Sequence, residues 1–161
     1  MSVEIVERPT LLAAVIQVPR DGAKVREAWK QVEVLLADHP AVADRENGLV
    51  FIPEWQWKTG VETLWVGVEI RDAEGLPQGL QTVSLPARTY ARIRVRGDKQ
   101  RMWETYEELS AWFRSGPYER DTEEGSLGFE SNPLHPVNPF DIPADEINDF
   151  HFDIYAPIKQ P

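Results

Sequence analysis

The stretch LGFES, residues 127–131, sets a carboxylate, Glu130, beside the apolar Leu127 and Phe129. A carboxylate held partly out of water can do two kinds of chemistry. It can pair with a cation, a bond strengthened by low dielectric and offset by the carboxylate's own desolvation. It can also orient water or take a proton as a general base, best when burial lifts its pKa toward neutrality. Aromatic faces would help the first, since each good contact with a cation contributes roughly 0.5–2 kcal/mol. Other chemistries lack their residues. There is no cysteine, hence no disulfide, thiolate metal site or cysteine nucleophile. His39, His135 and His151 have no metal-ligand spacing, and Asp141, Asp145, Glu146, Asp149 and Asp153 do not form a calcium loop. No nucleophile elbow, phosphate loop or dinucleotide fingerprint occurs. Neither a metal nor a cofactor is expected.

The elements that must position Glu130 come as a repeat. AVIQVPRDGAKVREAWKQVEVLL from Ala14 aligns without gaps with ARIRVRGDKQRMWETYEELSAWF from Ala91. Each copy begins with period-two alternation (Ala91, Ile93, Val95 against Arg92, Arg94, Arg96), a strand with one wet face. It continues with spacing of three and four (Met102, Tyr106, Leu109, Phe113), an amphipathic helix. Asp21 and Asp98 stand where an N-cap belongs, and Gly116-Pro117 stops the second helix. Strand signals follow each helix: 48–53 and 63–72 after the first, 126–131 and 149–159 after the second. Strands at 4–7 and 80–87 precede the two copies.

The expected architecture is α+β: two pseudo-symmetric β-α-β-β repeats forming an antiparallel sheet, with two helices on one face and a ligand cleft on the other. One domain spans 1–161, its halves falling at about 1–72 and 79–161. The proline-rich 133–149 is a long excursion between strands.

Charge and composition narrow the partners. A net charge of −10 repels phosphate backbones and argues against direct nucleic-acid binding. The apolar runs are too short to cross a bilayer, and the N-terminus lacks a signal-peptide pattern, so a cytoplasmic location is expected.

Two units of this kind in one chain resemble the GyrI-like family, which has a SOUL-like pseudo-symmetric fold. The family includes the effector-binding domains of bacterial multidrug-responsive transcription activators. The resemblance rests on VEIVERP (3–9), LWVGVEI (64–70), LPARTYARIRVRG (85–97), LSAWF (109–113) with SGPYE behind it, GFES (128–131) and IYAPIK (154–159). It implies an aromatic pocket between the halves, with a buried carboxylate and with bulky lipophilic cations or other amphipathic small molecules as ligands. In many members the carboxylate lies in a strand reading phenylalanine, glutamate, any residue, tyrosine. Phe129 and Glu130 match that pattern, whereas Asn132 stands at the tyrosine position.

Alternation sorts the remaining candidates by face. Ala14, Ile16, Val18, Leu64, Val66, Val68, Ala91, Ile93, Val95, Phe152 and Ile154 should face the helices, and so should Phe129. The other face then carries Trp65, Tyr90 and Tyr155 with Glu69 and Glu130, and Gly67 and Gly128 leave room beside them. Trp55 and Trp57, in PEWQWKTG, are candidates for a lid, and Tyr118 could reach the cleft from the end of the second helix. Trp29, Trp112 and Phe113 read as core, and Trp103 as a partner surface. These features together predict a stand-alone small-molecule binding protein. An alternative is a hydrolase of cyclopropane-type electrophiles, with Glu130 as base and Tyr90 or Tyr155 as acid. Another is a protein-interaction module resembling the gyrase inhibitor, acting on a protein partner. A homodimer is compatible with either binding reading.

Overall fold

The computed structural model describes residues 3–160. In chain order they form β1 (Glu4–Arg8), β2 (Leu11–Pro19), α1 (Gly22–Leu35), β3 (Asn47–Pro53), β4 (Thr63–Glu69), β5 (Gln81–Leu85), β6 (Arg88–Gly97), α2 (Lys99–Ser115), β7 (Leu127–Pro133) and β8 (Phe150–Pro157). The change of period seen in each repeat is the change from β2 to α1 and from β6 to α2. Both helices start where an aspartate can accept from free backbone donors. Asp21 accepts from the N–H groups of Ala23 and Lys24, and Asp98 from that of Arg101. Each such cap stabilises its helix by about 1 kcal/mol. Gly116 ends α2. Among the described residues no helix is long and apolar enough to cross a membrane.

The strands make one antiparallel sheet in the order β1-β6-β8-β7-β3-β4-β2-β5. Exchanging β1 with β5, β2 with β6, β3 with β7 and β4 with β8 returns the same order reversed. The two repeats are therefore related by a pseudo-dyad between β3 and β7. The outermost strands are exchanged between the halves, with β1 pairing β6 and β5 pairing β2. On the dyad, β3 and β7 pair so that Val50 lies opposite Glu130 and Gly48 opposite Asn132. Matching the two strands end to end makes Val50 the equivalent of Glu130, and Gly48 the equivalent of Gly128.

Both helices pack on one face of the sheet. Beneath α1, Val25, Ala28, Trp29 and Val32 meet Ala14, Val18, Val50, Val66 and Val68. Beneath α2, Leu109, Tyr106 and Trp112 meet Ala91, Ile93, Val95, Phe152 and Ile154. The far face carries a core of its own, in which Ala13, Val15, Leu49, Phe51, Tyr90, Phe129 and Tyr155 pack together with Trp65 at the margin.

That second core corrects the expected facing of β7. Phe129 turns away from the helices, stacked on Tyr155 at 4.6 Å and packed edge-on against Tyr90 at 5.5 Å. Gly128 and Glu130, its neighbours, turn toward the helices. The alternation of β7 is present, with its two faces the reverse of the expectation. Phe129 is an apolar residue, and the helix face is not the only apolar face available to it. The expectation of a cleft holds, and its side is corrected in the same way: Glu130 opens between the helices, while the far face is packed with side chains.

Candidate functional site

Between α1 and α2, over the dyad, lies a cavity of about 210 Å³. Val50 and Glu130 form part of its floor, beside Leu64 and Phe152. Val25 and Arg26 contribute from α1, Met102 and Tyr106 from α2. The proline-rich excursion closes it with Pro139, Phe140, Ile147 and Asp149.

Glu130 is half-buried, and its carboxylate accepts a hydrogen bond from the Tyr106 hydroxyl. Removal from water raises its pKa from 4.5 to about 7, and the Tyr106 bond opposes that rise. Burial, and then the charge of Glu130, push the Tyr106 hydroxyl well above its ordinary range, so it remains a donor. The result is a carboxyl group divided between its two protonation states near neutral pH, in a mostly apolar cavity.

The site repeats across the dyad in its supports, although not in its charge. Trp29 and Tyr106 are equivalent in the repeat alignment, and each reaches the dyad strands from its own helix. Trp29 stacks on Phe140 with centroids 4.5 Å apart and planes 16° apart. Tyr106 packs against Trp57 at 6.3 Å. The equivalent glycines beneath make room. A Cβ on Gly48 would stand 2.7 Å from the Phe140 ring and 2.9 Å from that of Trp29, and a Cβ on Gly128 would collide with the Glu54 carboxylate.

Glu54 is a second buried carboxylate beside the site, 2% exposed. Arg120 engages it with two nitrogens, at 3.1 and 3.3 Å. Burial raises the pKa of Glu54, and Arg120 works against that rise. The Arg120 guanidinium also lies 5.2 Å from the Trp57 ring centroid and 5.8 Å from that of Phe113. The pair therefore fixes Trp57 against Tyr106, and through Tyr106 it bears on Glu130.

The residues expected from sequence divide between two faces. Glu130 and Trp57 belong to the helix side. Tyr90 and Tyr155 belong to the far face, 2% and 8% exposed, so neither tyrosine meets Glu130 as the hydrolytic alternative required. Arg8 caps that cluster, 4.9 Å from the Tyr155 ring centroid. Trp65 packs at the same cluster, and Glu69 pairs with Ala13 on the same face. Arg92 and Arg94, also on that face, share Asp153 at 3.0 and 2.9 Å. Tyr118 stacks on Trp112 at 5.6 Å, and Trp55 lies in the turn after β3, part-exposed. Trp103 is 55% exposed, with its ring 6.3 Å from Tyr106.

Sequence reasoning missed Trp29, Tyr106, Phe140, Glu54 and Arg120. One signal was available: the repeat alignment pairs Trp29 with Tyr106, two large aromatics at equivalent points above the dyad. Their helix stripe reads equally well as ordinary core, and that reading hid them.

The fold recurs among solved structures of low sequence identity. The EcmrR C-terminal domain matches with a TM-score of 0.70 at 13% identity, over 99% of this chain and 98% of that one. SAV2435, solved bound to tetraphenylphosphonium, matches at 0.66 and 12%, over 99% and 94%. A hydrolase from Listeria innocua matches at 0.58 and 9%, over 98% and 91%. No curated protein matches the chain in sequence. The profile of the integron-associated effector binding proteins, Cass2, spans residues 4–158. With its dyad-related halves and a cavity between the helices, the chain belongs to that effector-binding family.

Proposed function

We propose that this protein binds small amphipathic cations in the cavity between α1 and α2, with Glu130 supplying the countercharge. The observation that carries the reading is the Glu130 carboxyl, oriented by Tyr106 on the floor of an otherwise mainly apolar cavity. A half-buried carboxylate without an ion-pair partner is costly, and an entering cation would compensate it. Aromatic neighbours add quadrupole attraction. Such a site selects by charge and loosely by shape. The tetraphenylphosphonium bound to SAV2435 is a ligand of this class. The net charge of −10 would draw cations toward the protein and keep nucleic acid away.

The test is calorimetric titration of tetraphenylphosphonium into the wild type and Glu130→Gln. Saturable binding that weakens at least about ten-fold in the variant supports the reading. Equal affinity in both proteins removes Glu130 from the site.

A second reading rests on the same pair. A carboxyl with its pKa near 7, bonded to a tyrosine hydroxyl, meets the requirement for general acid–base work. Glu130 would activate water and Tyr106 would donate the proton. Mass spectrometry of an electrophilic cyclopropane incubated with the protein tests it: a hydrated product, absent with Glu130→Gln, would make this protein an enzyme.

A further inference from the structure

The cavity is small for the function proposed. Ligand pockets usually enclose about 300–1,000 Å³, and this one encloses about 210 Å³. A neighbouring hollow of about 390 Å³ shares Pro139, Ile147, Asp149 and His151 with it. The segment 139–149 thus stands between two spaces that together would reach the usual size.

One side chain of that segment sits inside the site. Phe140 is 5% exposed, and its ring is stacked on Trp29 above Gly48. Elsewhere the segment is held by polar contacts that need no ring in that slot. Arg26 donates to the carbonyls of Ile142 at 2.7 Å and Pro139 at 3.4 Å, and Lys30 lies 3.7 Å from Asp141. The slot itself is formed by the rest of the protein. Gly48 has no side chain, Asn132 opposite it is small, and Trp29 supplies a flat face. Trp29 turns its ring face to Phe140, and its Nε1 is buried with no acceptor among the described residues.

The slot and the charge lie on neighbouring outward positions of the dyad strands. Gly48 lies beneath the Trp29–Phe140 stack, and Val50, two residues on, faces Glu130. Gly48 and Glu130 are thus diagonal neighbours across the β3–β7 ladder, and such pairs are separated by about 7–8 Å. A flat group on Trp29 and a cation at Glu130 would be that far apart.

We propose that Phe140 is the specificity-determining residue of this site: a displaceable internal occupant of an aromatic slot on Trp29. The slot selects cations that carry a planar aromatic group about 7–8 Å from the charge. A ligand of that shape replaces the Phe140 ring on Trp29 and joins the two hollows. Cations without such a group compete for Glu130 alone. The cation part of this inference rests on the function proposed above; the slot part does not.

Two probe sets separate them. The first is trimethylammonium cations bearing a phenyl group on alkyl linkers of increasing length, with tetramethylammonium as the ring-free control, titrated into the wild type, Phe140→Ala and Phe140→Leu. The second is naphthalene, a neutral ring, followed by Trp29 fluorescence against a Trp29→Phe background. Phe140→Ala should bind the phenyl cation of matching linker about five- to ten-fold more tightly, with a clearly smaller change for tetramethylammonium. It should also bind naphthalene where the wild type binds it weakly. Phe140→Leu, which keeps bulk but cannot stack, should fall between them and guards against collapse of the alanine variant. If naphthalene reports no slot in either variant, the inference fails, whatever the cations do. If naphthalene binds but the phenyl cations gain no more than tetramethylammonium, Phe140 does not set specificity. If naphthalene binds Phe140→Ala while no cation binds any variant, the slot stands, and both the selection of cations and the cation-binding function fall.

Discussion

Val50 and Glu130 face each other across β3 and β7, and they are also each other's equivalents in the two halves. The dyad thus passes between a valine and a glutamate. Around it an aromatic from each helix and a glycine from each strand recur, while on the two dyad strands the acid occurs once. The symmetric frame supplies space and apolar walls, and the departure from symmetry at Glu130 supplies a charge on its floor.

Cation binding should therefore depend on pH. Glu130 has its pKa raised to about 7, so the carboxylate that attracts a cation forms as the pH rises through that value. Affinity for tetraphenylphosphonium should be weakest near about pH 5 and level off above about pH 8, and each cation bound near neutrality should release a fraction of a proton. Calorimetry in buffers of different ionisation enthalpy measures that release directly. Asp149 and His151 also line the cavity; Glu130→Gln should abolish the release if Glu130 is its source.

Stability should run in the opposite direction. The folded protein holds on Glu130 a proton that the unfolded chain gives up at about 4.5. Folded stability is then highest at low pH on this account, and falls as pH rises from about 4.5 to about 7. The loss is at most roughly 3 kcal/mol. Glu54, also raised by burial, adds slope of the same sign. Denaturant unfolding at about pH 5 and pH 8 should show a smaller difference for Glu130→Gln than for the wild type. An equal difference would mean that Glu130 is not desolvated in the folded protein.

Tyr106→Phe keeps the ring against Trp57 and Phe152 but removes the hydroxyl from Glu130. The half-buried acid then loses its donor, so its pKa should rise further. The pH at which cation affinity is half-developed should move upward, and stability at neutral pH should fall by about 1–2 kcal/mol. A carboxyl-carbon NMR titration reads the shift. No change would mean that the hydroxyl does not contact Glu130 in solution.

The Glu54–Arg120 pair should be unequal in its response to single and double substitution. Arg120→Ala leaves a 2%-exposed carboxylate without its cation and should cost about 3 kcal/mol. Arg120→Met with Glu54→Gln removes both charges and should cost much less. Trp57 loses its guanidinium neighbour in both variants, so its emission should change in both. A double variant no more stable than the single would show that packing, not the unpaired charge, sets the cost.

Gly128→Ala should be among the most damaging single substitutions. Its methyl group would meet the Glu54 carboxylate and stand 2.9 Å from the Tyr155 backbone oxygen, and a backbone atom in β8 cannot swing aside. Thermal unfolding should show a clear drop in Tm. At Gly48 the obstruction is two side-chain rings, and Phe140 belongs to a surface segment, so Gly48→Ala should cost less.

The alternation and the repeat made β2, β6, both helices and both N-caps legible, because period and capping are local properties. The exchange of β1 and β5 could not be read, since edge pairing depends on contacts between residues far apart in sequence. The facing of β7 failed for a specific reason. Phe129 is apolar and Glu130 charged, which fixes a side only when one face of the sheet is wet. Here Tyr90, Tyr155 and Phe51 make the far face a core as well. Glu130 itself was found through the resemblance at GFES. Tyr106, the residue that orients it, looked like one more member of a helix stripe. Phe140 lies in a proline-rich stretch without periodicity, where no pattern rule assigns a role.

The exchanged edge strands have a mechanical consequence. Neither half closes its own portion of the sheet: β1 leaves the first to lie on β6, and β5 leaves the second to lie on β2. The molecule is the single-chain counterpart of a strand-swapped pair. The hinge is the short connection from Arg71 to Leu80. Two separately expressed halves would each carry one unpaired strand made to fit the other, and they should reassemble. If that hinge is shortened so that it cannot turn back, the same strands can be satisfied only by a second molecule, and this single-chain exchange becomes a reciprocal dimer.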